Sequence, residues 1–363
     1  MSLQLNGTAG VTYNDGSNQP AAASPYGLKN LIINGDMQVA QRGTSVAGIT
    51  SSGYYTVDRW QPFISTAGTW TMSQDTDVPT GQGFSSSVKF ACTTANTSLS
   101  TNSQMRLAQH IEAYNVQHLA FGTANAKKVT FSFWIKSNKT GTYNVWAYRQ
   151  DSSRQSSIQF TISLANTWEK KTLTFDGDTT GTINNDNGRG IEFNIVFVAG
   201  TDYSTGTSPD GAWETLTNPN RYVGNVNLAD STSNYINITG VQLEIGTTAT
   251  PFENRMYGTE LALCQRYYQR NFNPQMVVWY GSSSCLSTQK CVVSMRAAPT
   301  CSAISGVAQT VDVYGVGNVT YTTNNFDSQT VNGFRFFGAC TANYGTGQPG
   351  HIKNDMLQAD AEL

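Results

Sequence analysis

Hydrophobic and polar residues alternate in one short segment after another across residues 30–252. In KKVTFSFWIKS (Lys127–Ser137) every second residue is apolar, and Trp134 falls on the opposite, mostly polar face. GTYNVWAYRQ (Gly141–Gln150) alternates in the same way. A period of two is that of a β-strand with one face towards a core. Regularly spaced short strands bounded by Gly, Asn and Asp predict a β-sandwich.

Two segments depart from this period. MRLAQHIEAYNVQHL (Met105–Leu119) fits both patterns, and we predict a strand followed by a short helical turn. Tyr257–Arg270 is predicted as a helix, because Pro251 ends the preceding strand. Steps of four, three and four residues place one stripe on this helix: Tyr257, Leu261, Cys264 and Tyr268.

Such a stripe is typical of a coiled-coil seam. Two heptads are too short to be stable alone, so the stripe must pack on something. Two interpretations stay open: the stripe contacts symmetry mates in a homotrimer, or it packs on its own domain. The helix divides the chain into a sandwich of residues 29–253, a connection of residues 254–271 and a second β-sandwich of residues 272–363.

Residues 1–28 have a different character from the rest of the chain. They are polar, small and rich in turn-forming residues, with a hairpin-type turn signal at Asn14–Gly16. Such a segment cannot bury enough surface to fold alone. We therefore expect it to be a linker and attachment segment that orders against a partner.

Composition excludes several classes of protein. The net charge is −2 and only 13% of the residues are charged, so no basic surface for nucleic acid is expected. No run approaches the roughly 18 apolar residues that membrane insertion needs. The N-terminus lacks the pattern of a signal peptide. Six cysteines form no CxxC pair, which argues against zinc and favours free core thiols, with one disulfide after residue 280 left open.

Catalytic motifs are missing from the sequence. Neither GxSxG nor HExxH occurs, and the three histidines accompany no nucleophile motif. A glycosidase needs two carboxylates about 5–9.5 Å apart, which a sequence cannot display. We expect no cofactor. DGDTTG places Asp176 and Asp178 as in a calcium loop, but Asn187 stands where a bidentate Glu belongs. An Asx-rich turn is the favoured interpretation, and a structural calcium stays possible.

Aromatic residues near turns are the candidates for binding sugars, because sugar rings pack on aromatic faces. The long loop Gly200–Asn225 carries Tyr203, Trp213 and Tyr222. Long loops in compact domains are often functional. The alternative is that Trp213 plugs one end of the sandwich. In the last domain, Trp279 and Tyr280 lie on opposite faces of a strand, so one of them is expected to face outwards.

Several motifs together resemble a family of structural proteins of tailed bacteriophages, mostly tail fibres. They are NLIINGDMQVAQRGTS (Asn30–Ser45), YTVDRW (Tyr55–Trp60) and GVQLEIGTTATPFENRMYGTELALCQRYYQ (Gly240–Gln269). MRAAPT (Met295–Thr300) and ADAEL (Ala359–Leu363) are similar to the C-terminal domain of that family. LQLNGTAGV near the N-terminus resembles attachment segments of marine phage fibres.

The resemblance implies a jelly roll similar to carbohydrate-binding modules and a trimeric fibre that binds bacterial surface glycans. It further implies a virion protein assembled in the cytoplasm of the host bacterium and anchored to another virion protein through residues 1–28. Many relatives carry long central shafts and this chain has none, so its place on tail or capsid stays open. The prediction is a non-enzymatic fibre. A glycan depolymerase and a purely structural decoration fibre are the alternatives.

Overall fold

The computed structural model describes residues 4–6, 10–12, 18–19, 29–270, 272, 276–279, 283–304, 310–313, 317–340, 349–353 and 357–363. Near the N-terminus, three short strands form an antiparallel sheet: β1 (Gln4–Asn6), β2 (Gly10–Thr12) and β3 (Asn18–Gln19). The turn expected at Asn14–Gly16 lies outside the described residues.

Residues 29–253 form a β-sandwich, as the alternation predicts. Its strands are, in chain order, β4 (Ser45–Ile49), β5 (Gln61–Ser65), β6 (Thr69–Asp75), β7 (Ser87–Thr94), β8 (Gln104–Glu112), β9 (Val129–Ser137), β10 (Gly141–Arg149), β11 (Arg154–Ile162), β12 (Glu169–Phe175), β13 (Arg189–Ala199), β14 (Glu214–Thr215) and β15 (Tyr235–Ile245). Sheet 1 has the order β14-β11-β10-β13-β8-β5, and sheet 2 has the order β12-β9-β15-β7-β6-β4. The chain crosses repeatedly between these antiparallel sheets, which confirms the jelly-roll sandwich.

The core lies between the two inner faces. Phe131 and Phe133 project inwards from β9, and Phe131 stacks on Phe193 of β13 with ring centres 5.1 Å apart. Phe133 meets Phe160 of β11 edge-on at 5.3 Å. Each fully buried side chain of this size contributes about 1.5–3 kcal/mol. The ambiguous segment also folds as predicted: β8 is followed by a 3₁₀ helix at Ala113–Leu119.

A short α-helix, α1 (Thr201–Ser204), lies in the loop between β13 and β14, and 3₁₀ turns at Asn218–Asn220 and Leu228–Asp230 lie between β14 and β15. The helix expected over Tyr257–Arg270 is shorter than predicted. It ends at Gln265 as α2 (Tyr257–Gln265), and the chain continues as strand β16 (Tyr268–Arg270).

The predicted stripe is therefore not one helix face. Cys264 and Tyr268 are buried within their own chain, so the prediction that they contact other subunits of a trimer is wrong. Tyr268 belongs to strand β16, where it pairs with Asp360 of the same chain. Leu261 is half-buried, and Tyr257 remains 54% exposed. For Cys264 and Tyr268, the alternative interpretation applies, in which the stripe packs on its own domain.

The C-terminal region was expected to be a second sandwich, and its main sheet is instead a closed six-stranded barrel. The strands of the whole C-terminal region, in chain order, are β17 (Met276–Trp279), β18 (Ser284–Lys290), β19 (Thr300–Ala303), β20 (Thr310–Val313), β21 (Gly317–Thr330), β22 (Gly333–Cys340), β23 (Pro349–Lys353) and β24 (Leu357–Asp360). The barrel order is β17-β18-β22-β21-β20-β23, and β23 pairs with both β17 and β20. This pairing closes the sheet, so no second layer is needed to cover its edges.

The remaining strands join the barrel to the sandwich. β16, β24 and β19 form a three-stranded antiparallel sheet, the junction sheet, with β24 in the middle. The ADAEL residues therefore lie between the segment that follows α2 and the segment that follows MRAAPT. The five cysteines whose side chains are described are free thiols, as expected: Cys92, Cys264, Cys285, Cys291 and Cys301.

Candidate functional site

An open groove of about 420 Å³ lies on the outer face of sheet 2. It extends over β9, β12 and the bend of β15, and the segment 249–254 forms one wall. Its lining combines three aromatic rings with small and polar side chains: Gln82, Phe84, Ser132, Trp134, Lys170, Gly240, Ala249, Thr250, Pro251, Phe252 and Asn254. Volumes of about 300–1,000 Å³ are typical of small-molecule sites.

Trp134 is placed in the groove by the alternation of β9. Its neighbours Phe133 and Ile135 point into the core, so the indole faces outwards. In register beside it lie Lys170 on β12 and Thr239 on β15. The indole is half-buried, which leaves part of its face open to a ligand.

Gly240 creates the space for a second ring. The pairing of β15 with β9 is irregular between Thr239 and Gln242, and Gly240 has a φ of +61°. A Cβ at Gly240 would lie 2.5 Å from the ring of Phe84. Only glycine therefore permits both this backbone and the close approach of Phe84. Phe252 completes the wall, edge-on to Phe84 at 5.1 Å.

Two carboxylates, of Glu244 and Glu253, fix the wall segment. Glu244 accepts hydrogen bonds from the backbone N and the Oγ1 of Thr250, at 2.9 and 2.7 Å. Glu253 accepts from the backbone N of Lys29 and of Asn30, both at 3.1 Å. Residues 250–253, the TPFE portion of the central motif, are thus hydrogen-bonded to Lys29 and Asn30 at the start of the sandwich. These bonds position Phe252 over the sheet.

The electrostatics of the groove are simple. Lys170 is the charged residue of its described lining. The described lining contains no carboxylate, histidine or thiol. Its chemistry is that of aromatic stacking combined with amide and hydroxyl hydrogen bonding, which suits a hydroxyl-rich ligand with apolar ring faces.

The aromatic residues chosen from the sequence lie elsewhere. Tyr222 is fully buried and Trp279 is 1% exposed inside the barrel, so the predictions that they bind glycans are wrong. Tyr280 lies outside the described residues. Trp213 donates from Nε1 to the carbonyl oxygen of Asp176 at 2.7 Å and packs on the core, which is the plug interpretation. Tyr203 is half-buried on the outer face of sheet 1.

The two aspartates of the calcium-loop candidate have other partners. Asp178 is buried, and its carboxylate is already bound by the guanidinium groups of Arg149 and Arg154. Asp176 is exposed and pairs with Lys128 at 2.7 Å. The described residues contain no group of three or more His, Cys, Asp or Glu side chains placed to hold a metal ion. Every helix within the described ranges is too short or too polar to cross a bilayer.

Sequence reasoning missed the groove, although one signal was present. That signal is Trp134, which the alternation of β9 assigns to the outer, mostly polar face, although one exposed aromatic marks a binding surface only where others join it in a patch. Phe84, Lys170 and Phe252 carry no such signal. Their approach to Trp134 depends on how three separate segments pack on sheet 2.

Neither a protein-family model nor a curated protein matches the chain. Among solved structures, the enzymatically active domain of tailspike protein 4 of bacteriophage CBA120 is 14% identical with a TM-score of 0.31. That match covers 60% of this chain and only 21% of the tailspike chain.

Two carbohydrate-binding modules are similar to the same extent. TmCBM61 in complex with β-1,4-galactotriose is 10% identical, with 60% of this chain and 100% of that chain covered and a TM-score of 0.31. The family 11 module of the cellulosomal cellulase Lic26A-Cel5E of Clostridium thermocellum is 10% identical, with 56% and 98% covered and a TM-score of 0.30. Scores this low carry no argument about function, which has to come from the groove.

Proposed function

We propose that this chain is a non-enzymatic, glycan-binding fibre protein of a tailed bacteriophage and that the groove around Trp134 holds the glycan. The observation that carries the proposal is the outward-facing indole beside Lys170, Ser132 and Gln82 in an open groove. A pyranose ring packs its apolar face on an indole while its hydroxyls bind amides and hydroxyls at the rim.

The decisive experiment is a glycan array of bacterial surface polysaccharides, followed by calorimetry on the best ligand. Trp134→Ala removes the stacking face and is expected to cost at least about 0.5–1.5 kcal/mol of binding free energy. Trp213→Ala is the matched control, since it removes a half-buried tryptophan that packs on the core. It is expected to lower the melting temperature and leave the affinity unchanged. The reverse pattern would overturn the groove assignment.

The role in the virion requires a separate test. Among the described strands, β1–β3 form a sheet of their own, separate from the two sheets of the sandwich. Deleting residues 1–28 is expected to leave a folded protein that still binds glycan and no longer joins the virion. Loss of folding would contradict an attachment role. Release of reducing ends from host polysaccharide by the intact protein would favour the depolymerase instead.

A further inference from the structure

A second aromatic cluster covers the outer face of sheet 1, on the opposite side of the sandwich from the groove. Trp146 of β10 is 2% exposed and stacks on Tyr148 with ring centres 5.2 Å apart and planes 15° apart. Tyr222 meets Trp146 edge-on at 5.8 Å. The backbone N of Tyr222 donates to the carbonyl oxygen of Tyr203 at 2.8 Å. The long loop is thereby anchored on the sheet.

Two arginines flank Trp146. The guanidinium carbons of Arg221 and Arg106 lie 4.8 and 5.3 Å from the centre of its ring. Arg221 also lies 5.4 Å from the ring of Tyr203, and Arg106 lies 3.8 Å from the ring of Phe63. Stacking on rings holds each guanidinium group by its faces, so its hydrogen bonds form in its own plane.

Neither arginine has a carboxylate partner among the described residues. Arg106 donates to two neutral amides, Oδ1 of Asn194 at 2.9 Å and Oε1 of Gln104 at 2.7 Å. The Nε of Arg221 is buried without a hydrogen-bond partner. Two carboxylates lie near this part of the sheet. Glu192 is paired with Arg189 and His110, at 3.0 and 3.1 Å, and the charge of Arg106 also helps to lower its pKa. Glu214 of β14 accepts hydrogen bonds from Gln155 and Asn220, at 2.8 and 3.1 Å.

We propose that this surface, the arginine face, is a second ligand site that binds a carboxylate-bearing sugar. It consists of Phe63, Arg106, Tyr148, Tyr203 and Arg221. A carboxylate matches the planar fork of a guanidinium group with two parallel hydrogen bonds. The half-exposed rings of Phe63, Tyr148 and Tyr203 supply surfaces for the pyranose that carries it. This site does not depend on the groove and would stand if the groove bound nothing.

The test uses the full chain and tetragalacturonate, with its methyl ester as a neutral control of the same shape. Wild type is expected to bind the acid at least tenfold more tightly than the ester by calorimetry. Arg221→Gln is expected to weaken binding of the acid at least tenfold. Arg335→Gln, which alters an exposed arginine of the barrel, is expected to leave it unchanged.

Equal binding by wild type and Arg221→Gln would overturn the proposal, as would the absence of binding to wild type at millimolar concentration. Displacement of tetragalacturonate by an equal concentration of inorganic phosphate would mean a site for any anion, and tighter binding of oligothymidylate would mean one for nucleic acid. Melting temperatures control for folding. If Arg221→Gln does not fold, Arg221→Lys is used instead, because it keeps the positive charge and removes the planar guanidinium group. An unchanged affinity of this variant for tetragalacturonate would overturn the proposal.

Discussion

Arg59 and Glu362 are 303 positions apart in the chain, and their side chains form a salt bridge in the interior. Arg59 is fully buried, with its guanidinium carbon 3.5 Å from the centre of the Tyr267 ring. Its Nη2 also donates to the carbonyl oxygen of His110 at 2.6 Å. The salt bridge therefore connects the VDRW motif of the sandwich to the ADAEL motif at the end of the junction sheet.

Other motif residues meet at the same place. Arg42 donates to Asp360 at 3.0 Å, and Arg296 of MRAAPT donates to the carbonyl oxygen of Ala361 at 2.8 Å. Burial raises the pKa of Asp58 to about 7, against the opposing effect of Arg42. Perturbed carboxyls often mark active sites, but structural ion-pair networks perturb them as well. Here Asp58 is bound by Gln41 and lies 3.9 Å from Arg42, which in turn pairs with Asp360 across the junction. This arrangement supports a scaffolding role for these motifs.

Glu362→Gln is expected to destabilise the protein by about 3–5 kcal/mol, because it leaves the buried charge of Arg59 uncompensated. Urea unfolding measures the loss. Asp327→Asn is the control, since it breaks an exposed arginine–carboxylate pair of the barrel and should have little effect. Similar small effects for both variants would mean that water reaches Arg59.

Gly240→Ala tests how the groove is built. Alanine at a positive φ costs roughly 1–2 kcal/mol, and its Cβ would also displace Phe84. Gly48→Ala is the matched control, because Gly48 has a φ of +75° with no atom within 4 Å of the added Cβ. Both variants should lose stability on urea unfolding. Only Gly240→Ala should weaken glycan binding, and an unchanged affinity would exclude Phe84 from the site.

Glu192 gives a prediction about pH. Burial by itself would raise the pKa of its carboxyl, but the hydrogen bond from His110 and nearby positive charge lower the pKa to about 2, from 4.5. Because the folded-state pKa is depressed, this contribution is complete above pH 4.5 and is lost as the pH falls towards 2. The difference in unfolding free energy between wild type and Glu192→Gln should therefore shrink between pH 5 and pH 2.5. A constant difference would contradict the shift.

The homotrimer that the sequence resemblance implies stays a prediction, and it leads to a further one about the start of α2. Met256 and Tyr257 are 84% and 54% exposed and adjacent, an apolar pair with no cover from the chain itself. Replacing both with serine is expected to dissociate the trimer, measured by light scattering, and to leave the fold of each subunit intact because neither side chain belongs to the core. A variant that remains trimeric would place the subunit contact elsewhere.

Sequence patterns predict the local structure of this chain better than its long-range contacts. The alternation around Trp134 correctly separates the core face of β9 from its outer face. Tyr268 was assigned to a helix by its spacing, but β24 pairs with it from about ninety residues later, and no local pattern reveals that pairing. Tyr222 and Trp279 are aromatic residues of the kind on which sugar rings pack when the side chain is exposed. Their burial depends on which sheet or barrel folds over them.

The junction sheet determines how the barrel is carried. β16 leads towards the barrel, β19 returns from it midway, and β24 returns at its end, so the chain passes between the two bodies several times. Several separate chain crossings restrict rotation of the barrel relative to the sandwich, whereas a single linker would permit such rotation. The barrel and the sandwich are thus expected to turn together, and the orientation in which one body meets a surface dictates the face that the other presents.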